Sequence, residues 1–74
     1  MSVKKFSLRE GFIPLSSLLK ATGLASTGGH AKVMILSGEV SVNDEIESRI
    51  RRKCLAGDII SVEGASVEIV PLEK

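Results

Sequence analysis

Leu15, Leu18, Leu19 and Thr22 stand at i, i+3, i+4 and i+7, the spacing that lines one face of an α-helix. Pro14 precedes them, where the first turn of a helix tolerates a residue without an N–H. Gly23 follows, able to take the left-handed conformation that ends a helix. A short link, Leu24–Ala25, leads to a second periodic stretch. There Thr27 is a suitable N-cap, Ala31, Met34 and Ile35 form the apolar stripe, and Gly38 closes the element as Gly23 closes the first. Two short helices joined so tightly pack as a helix-turn-helix pair.

Beyond Gly38 the period switches to two. Val40 and Val42 alternate with Glu39 and Ser41, and Asn43-Asp44 offers a tight turn of two residues that tolerate positive φ. Gly57-Asp58 turns the chain into IISV (59–62), and EGAS (63–66) turns it again into VEIV (67–70), with Pro71 marking an edge or an end. Before the helices, VKKFSL (3–8) alternates weakly, with Phe6 and Leu8 on one side, and reads as a first strand. The outline is β-α-α-β-β-β. The expected fold is α+β: two short helices on a small, mostly antiparallel sheet of about four strands, with residues 1–74 as one domain.

Composition narrows the function. With 74 residues, 43% of them apolar, the chain is large enough for one small core. A single cysteine, Cys54, permits no internal disulfide and suits a reducing cytoplasm. No apolar run approaches the ~20 residues that cross a bilayer, and the N-terminus lacks the apolar segment of a signal peptide. Net charge is only +1, but it is polarised. RIRRK (49–53) carries four cations, whereas residues 54 to 74 carry Asp58, Glu63, Glu68 and Glu73 against Lys74 alone. Such a run is either a solvated strip or a ligand face. Phe6 and Phe12 are the only aromatics, and in so small a protein both are expected in the core. An RNA ligand would then be held by backbone and shape rather than by stacking of splayed bases.

The stretch GLASTGGHAK (23–32) has the G-x-x-x-x-G spacing of a phosphate-binding P-loop, but Gly29 and His30 stand where Lys and Ser or Thr belong. No buried strand precedes Gly23, so a mononucleotide loop is excluded. Gly28 and Gly29 keep two readings: they open backbone N–H groups to an anion at a helix start, or they merely permit a tight turn. His30 has no second histidine and only one cysteine to join it, which is too few ligands for zinc. Cys54 reads as a small buried hydrophobe. Neither a Ser-His-Asp set nor a carboxylate pair is evident, so no catalytic machinery, cofactor or small-molecule substrate is expected. In VNDEIESRIRRKCLAGDII (42–60) the cations Arg49, Arg51, Arg52 and Lys53 cannot all face inward, and Glu45 and Glu47 are placed to neutralise part of them.

The residues LLKATGLASTGGHAK, then SGEVSVN, then an arginine-lysine cluster and G-D, resemble the S-four domain. This is the αL RNA-binding motif of the fourth small-subunit ribosomal protein, also found in pseudouridine synthases, tyrosyl-tRNA synthetases and a heat-shock ribosome-recycling factor. The Gly-Gly form is similar to the stand-alone YbcJ/YaaA-like bacterial subfamily, with the match spanning residues 13 to 62. The resemblance implies RNA binding by the two-helix unit and the following hairpin. It places the family's basic residue after the helix alanine on Lys32, and the subfamily's basic cluster on Arg49, Arg52 and Lys53. Asp44 departs from the usual glycine after Asn43, and Ile50 interrupts the adjacent arginines, which leaves open which of Arg49, Arg51 and Arg52 meets RNA.

The expected function is therefore a non-catalytic, monomeric, cytoplasmic RNA-binding protein acting on structured ribosomal or transfer RNA, or on a ribosomal subunit, in ribosome assembly or translation. Its expected contacts are Lys20, His30, Lys32, the N–H groups of Thr27, Gly28 and Gly29, and Arg49, Arg51, Arg52 and Lys53. The competing expectation is a β-grasp-like protein-binding adaptor docking through the acidic C-terminal strands. A sulfur carrier of that fold is not expected, since it needs a C-terminal Gly-Gly where this chain reads PLEK.

Overall fold

A computed structural model describes residues 2–9 and 11–72; Glu73 and Lys74, counted above in the acidic end, lie outside them. In chain order the elements are β1 (Ser2–Leu8), β2 (Ile13–Pro14), α1 (Leu15–Ala21), α2 (Gly28–Leu36), β3 (Val40–Val42), β4 (Glu45–Ile46), β5 (Lys53–Cys54), β6 (Ile59–Val62) and β7 (Ala65–Pro71). Five strands make one sheet in the order β1-β7-β6-β3-β4, and β2 and β5 pair separately as a two-stranded ribbon. The sheet is antiparallel except at β1, which runs parallel to β7.

The two helices stand where the apolar spacing put them. Leu15, Leu18 and Leu19 of α1 and Ala31, Met34 and Ile35 of α2 are all buried. They meet Val40, Val42, Ile60, Val62, Val67 and Ile69 from one face of the sheet in a single cluster. On the opposite face Ser41, Ser61 and Ser66 lie side by side and remain half-exposed. Gly23 (φ 83°) and Gly38 (φ 82°) end the helices in the left-handed region, as their placement after the last apolar residue requires. Asn43 (φ 52°) and Asp44 (φ 70°) both take positive φ. That is the two-residue turn whose twist suits a hairpin, formed without the usual glycine.

Three elements depart from the sequence reading. The sheet has five strands rather than about four, because Glu45–Ile46 returns from the Asn43-Asp44 turn as β4. Ile13–Pro14 and Lys53–Cys54 pair although each is only two residues long. Pro14 is the last residue of β2 and the N-cap of α1, at φ −61° and ψ 144°, rather than lying inside the helix. Phe12 departs as well. Phe6 packs half-buried against the core as expected, whereas Phe12 is 46% exposed.

Candidate nucleic-acid interface

A helix start leaves its first N–H groups without partners inside the helix. In α1 those groups are satisfied from a distance: the Leu15 N–H donates to the Arg52 carbonyl at 2.9 Å and the Ser16 N–H to the Ile50 carbonyl at 3.1 Å. The basic loop is thereby fixed on the end of the first helix through its own backbone. Ile50 packs half-buried against the core, so the residue that interrupts the arginines is an apolar plug. Arg49 and Arg51, on either side of it, are turned to solvent. Cys54 is fully buried as the sequence implied, and burial pushes its thiol above the ordinary range. It is a packing residue.

The four cations of the loop line one concavity of about 530 Å³, made of Arg49, Arg51, Arg52 and Lys53. Their electrostatic situations differ sharply. Arg52 lies between two carboxylates, its Nε 2.9 Å from Glu47 Oε1 and its Nη1 3.3 Å from Asp58 Oδ2, with its side chain 24% exposed. Arg49 forms a bidentate pair with the same Glu47, Nε to Oε2 at 3.0 Å and Nη2 to Oε1 at 3.1 Å, yet stays 74% exposed. Arg51 and Lys53 form no ion pair among the described residues; the Lys53 ammonium lies 4.9 Å from the centre of the Phe12 ring.

Asp58 joins this loop to the hairpin. It accepts from the Leu55 N–H at 2.9 Å, from Asn43 Nδ2 at 3.0 Å and from Arg52, while the Ile59 N–H donates to Asn43 Oδ1 at 3.0 Å. Hydrogen bonds from Arg49 hold the Glu47 carboxyl down at about 2, from an ordinary 4.5, against the opposing effect of burial. Burial also works to raise Asp58, but the Leu55 amide, Asn43 and Arg52 outweigh it and keep that carboxyl low. Both acids are therefore ionised at neutral pH, and they meet charged Arg49 and Arg52 and the neutral amide of Asn43. Sequence reasoning named Glu47 as a neighbour of the cations but missed Asn43 and Asp58. A Gly-Asp turn ahead of a strand offers little signal that its carboxylate reaches back six residues.

The second cluster sits at the start of α2. Thr27 caps the helix, its Oγ1 accepting from the His30 N–H at 3.0 Å. His30 Nδ1 faces the Ser26 N–H and Oγ, both at 3.2 Å. The imidazole is otherwise exposed. Gly28 and Gly29 are helical, not left-handed, and a Cβ at Gly28 would meet nothing within 4 Å. At Gly29 the nearest atom is Thr27 Oγ1 at 3.9 Å. Neither φ nor internal packing demands glycine here. The tight-turn reading of the pair thus finds no support in φ or packing.

Lys32 is exposed on α2 and Lys20 on α1, and neither lines the basic concavity. Lys4 reaches from β1 to the Thr22 carbonyl at 3.2 Å, closing the end of α1 instead. Among the described residues no group of acids, histidines and cysteine is placed to hold a metal ion, and no helix is long and apolar enough to cross a membrane.

Residues 6–70 match the S4 domain. The chain belongs to the S4 domain family. Within it, the chain is 39% identical over 66 residues to the Escherichia coli (strain K12) protein named "Putative RNA-binding protein YbcJ", covering 88% of this chain and 94% of that one. It is 38% identical over 58 residues to the Bacillus subtilis (strain 168) protein named "Probable ribosome maturation protein RlbA", covering 78% and 82% of the two chains. The solution structure of Escherichia coli YbcJ, described as revealing an αL motif involved in RNA binding, is similar with a TM-score of 0.67. That similarity is at 34% identity and covers 95% of this chain and 87% of the other. The S4 match extends beyond residues 13 to 62 to include the end of β1, from Phe6, and most of β7.

Proposed function

We propose that this S4-domain chain is a non-catalytic RNA-binding protein that grips structured ribosomal or transfer RNA mainly by its phosphates, as a cytoplasmic monomer, in ribosome assembly or translation. The observation that carries this reading is the basic loop, pinned by backbone bonds to α1 and by Glu47 and Asp58, with Arg49, Arg51 and Lys53 left facing outward around one concavity. A loop ordered before binding loses little conformational freedom when phosphate arrives. The names of YbcJ and RlbA support the RNA and ribosomal parts of the proposal.

Roles divide by position. Arg51, Lys53 and the free face of Arg49 contact phosphates, and Arg52 positions them by holding the loop. The amides of Gly28 and Gly29, outward-facing His30 and Lys32 form a second phosphate contact at the start of α2, where Thr27 fixes the helix end. Lys20 adds charge on α1. With about five phosphate contacts, log affinity falls by roughly 0.7–0.9 per contact for each tenfold rise in salt. The Arg51→Ala/Lys53→Ala variant is expected to flatten that slope by about 1.4–1.8 while its urea midpoint stays near that of the unaltered protein. A slope identical to the parent's sinks the loop as the phosphate site. Nuclease-resistant protein partners in a co-purification, with no bound RNA, would favour the adaptor reading instead.

A further inference from the structure

Residues 12 to 14 and 53 to 55 form a second surface beside the basic concavity. In the β2–β5 ribbon Ile13 pairs with Cys54 and Pro14 with Lys53. Side chains alternate along a strand, and here Ile13 and Cys54 turn to the core. Continuing the register by one step sets Phe12 opposite Leu55, so Phe12, Pro14, Lys53 and Leu55 share the outward face. Phe12 is 46% and Leu55 51% exposed. Phe12 is the more exposed of the two aromatic rings, since Phe6 is half-buried against the core. Lys53 belongs to both surfaces: it lines the concavity, and its ammonium lies 4.9 Å from the Phe12 ring centre.

An exposed ring beside a lysine that also lines a cationic concavity matches one half of a nucleotide to each part, the base to the π face and the phosphate to the charge. A purely paired helix offers no free base face, and bare phosphate makes no use of a phenyl ring. An apolar partner protein would use Phe12 and Leu55 but would have to desolvate Lys53 beside them. Resting on the RNA reading above, we propose that the outer face of the β2–β5 ribbon, centred on Phe12, is a stacking platform for an unpaired base whose flanking phosphates lie on Arg51 and Lys53. The S4-domain chain then selects bulged or looped RNA over continuous duplex.

The test uses an RNA hairpin carrying a single bulged 2-aminopurine and the same hairpin without the bulge. The unaltered protein is expected to prefer the bulged hairpin and to quench its fluorescence. Phe12→Ala should weaken that complex about 5- to 150-fold, abolish the quench, and leave the salt slope and the affinity for the paired hairpin unchanged. Phe12→Leu, which keeps apolar bulk without a π face, should behave as Phe12→Ala does, and Phe12→Trp should bind as tightly as the parent. Urea midpoints near the parent's show that each variant is folded. Salt-dependent binding that ignores Phe12, or falls equally on both hairpins, overturns the platform while leaving the phosphate site intact. So does RNA affinity that survives Phe12→Ala while co-sedimentation with ribosomal proteins is lost. Failure of the unaltered protein to bind either hairpin overturns the RNA reading itself.

Discussion

The basic loop and the start of α2, the two phosphate contacts proposed for this chain, are built in opposite ways. The loop at residues 49–53 is rich in charge but holds part of it back: Glu47 and Asp58 take up Arg52 and one side of Arg49, and the backbone of Ile50 and Arg52 is committed to α1. The α2 start has no ion pair among the described residues and is shaped by small things, a Thr27 cap, a back-bonded His30 and two glycines without side chains. In the first region order comes from opposing charges; in the second, access comes from missing atoms. Neighbouring arginines can therefore do unlike jobs, Arg52 as a structural member and Arg51 as a free cation.

That contrast breaks most visibly at Arg52. Arg52→Ala leaves Glu47 and Asp58 short of a partner and should destabilise the fold by about 2–3 kcal/mol, the scale of hydrogen bonds to charged groups. Arg51→Ala should cost less than about 0.5 kcal/mol, as surface substitutions do. Urea denaturation of the pair checks this, and equal midpoints would show that the two arginines are not differentiated. Arg52→Lys should recover only part of the loss, because an ammonium cannot span both carboxylates as the planar guanidinium does.

Acid provides the next test. Glu47 titrates at about 2 in the folded protein against an ordinary 4.5. Its folded value is the lower one, so its contribution is fully present above about pH 4.5, declines as pH falls below that, and is gone below about 2. Arg49, its main partner, is largely solvent-exposed, so screening holds the loss to about 1–2 kcal/mol. Glu47→Gln should flatten this part of the stability profile; a variant that keeps the same acid dependence would place the sensitivity elsewhere.

The smallest effect probes the other region. Gly28→Ala meets no atom within 4 Å and sits at helical φ, so it should stabilise the protein by about 0.4–1 kcal/mol. RNA affinity should fall at the same time, because the new methyl group lies where the polymer approaches the amides. Stabilisation with undiminished binding would remove the helix start from the interface.

Much of the fold was legible in the residues. Leucine spacing, the two helix-ending glycines and the Thr27 cap placed α1 and α2, and period-two alternation placed β3, β6 and β7, because each of these signals acts within a few residues of itself. β4, β2 and β5 were not legible. Strands of two residues have no period to detect, and they form because the hairpin turn and the core bring their partners alongside. Phe12 was misplaced for the same reason: its burial depended on the register of a ribbon that the local pattern does not announce. The network from Asn43 through Asp58 and Arg52 to Glu47 joins residues up to 15 positions apart, a distance over which sequence spacing specifies no geometry.

The sequence by itself determined the two-helix unit, its caps, the class of fold, and the presence of a cationic segment after the Val-Asn turn. It determined too that Gly23 to Lys32 is no mononucleotide loop, since the lysine that loop needs is absent. Only the tertiary structure decided how the cations divide. Propensity and periodicity are short-range properties of a chain, whereas the pairing of a charge depends on which carboxylates the folded backbone carries to within about 3 Å of it. Arg52 met two such carboxylates and was taken inward; Arg51 met none and was left facing out.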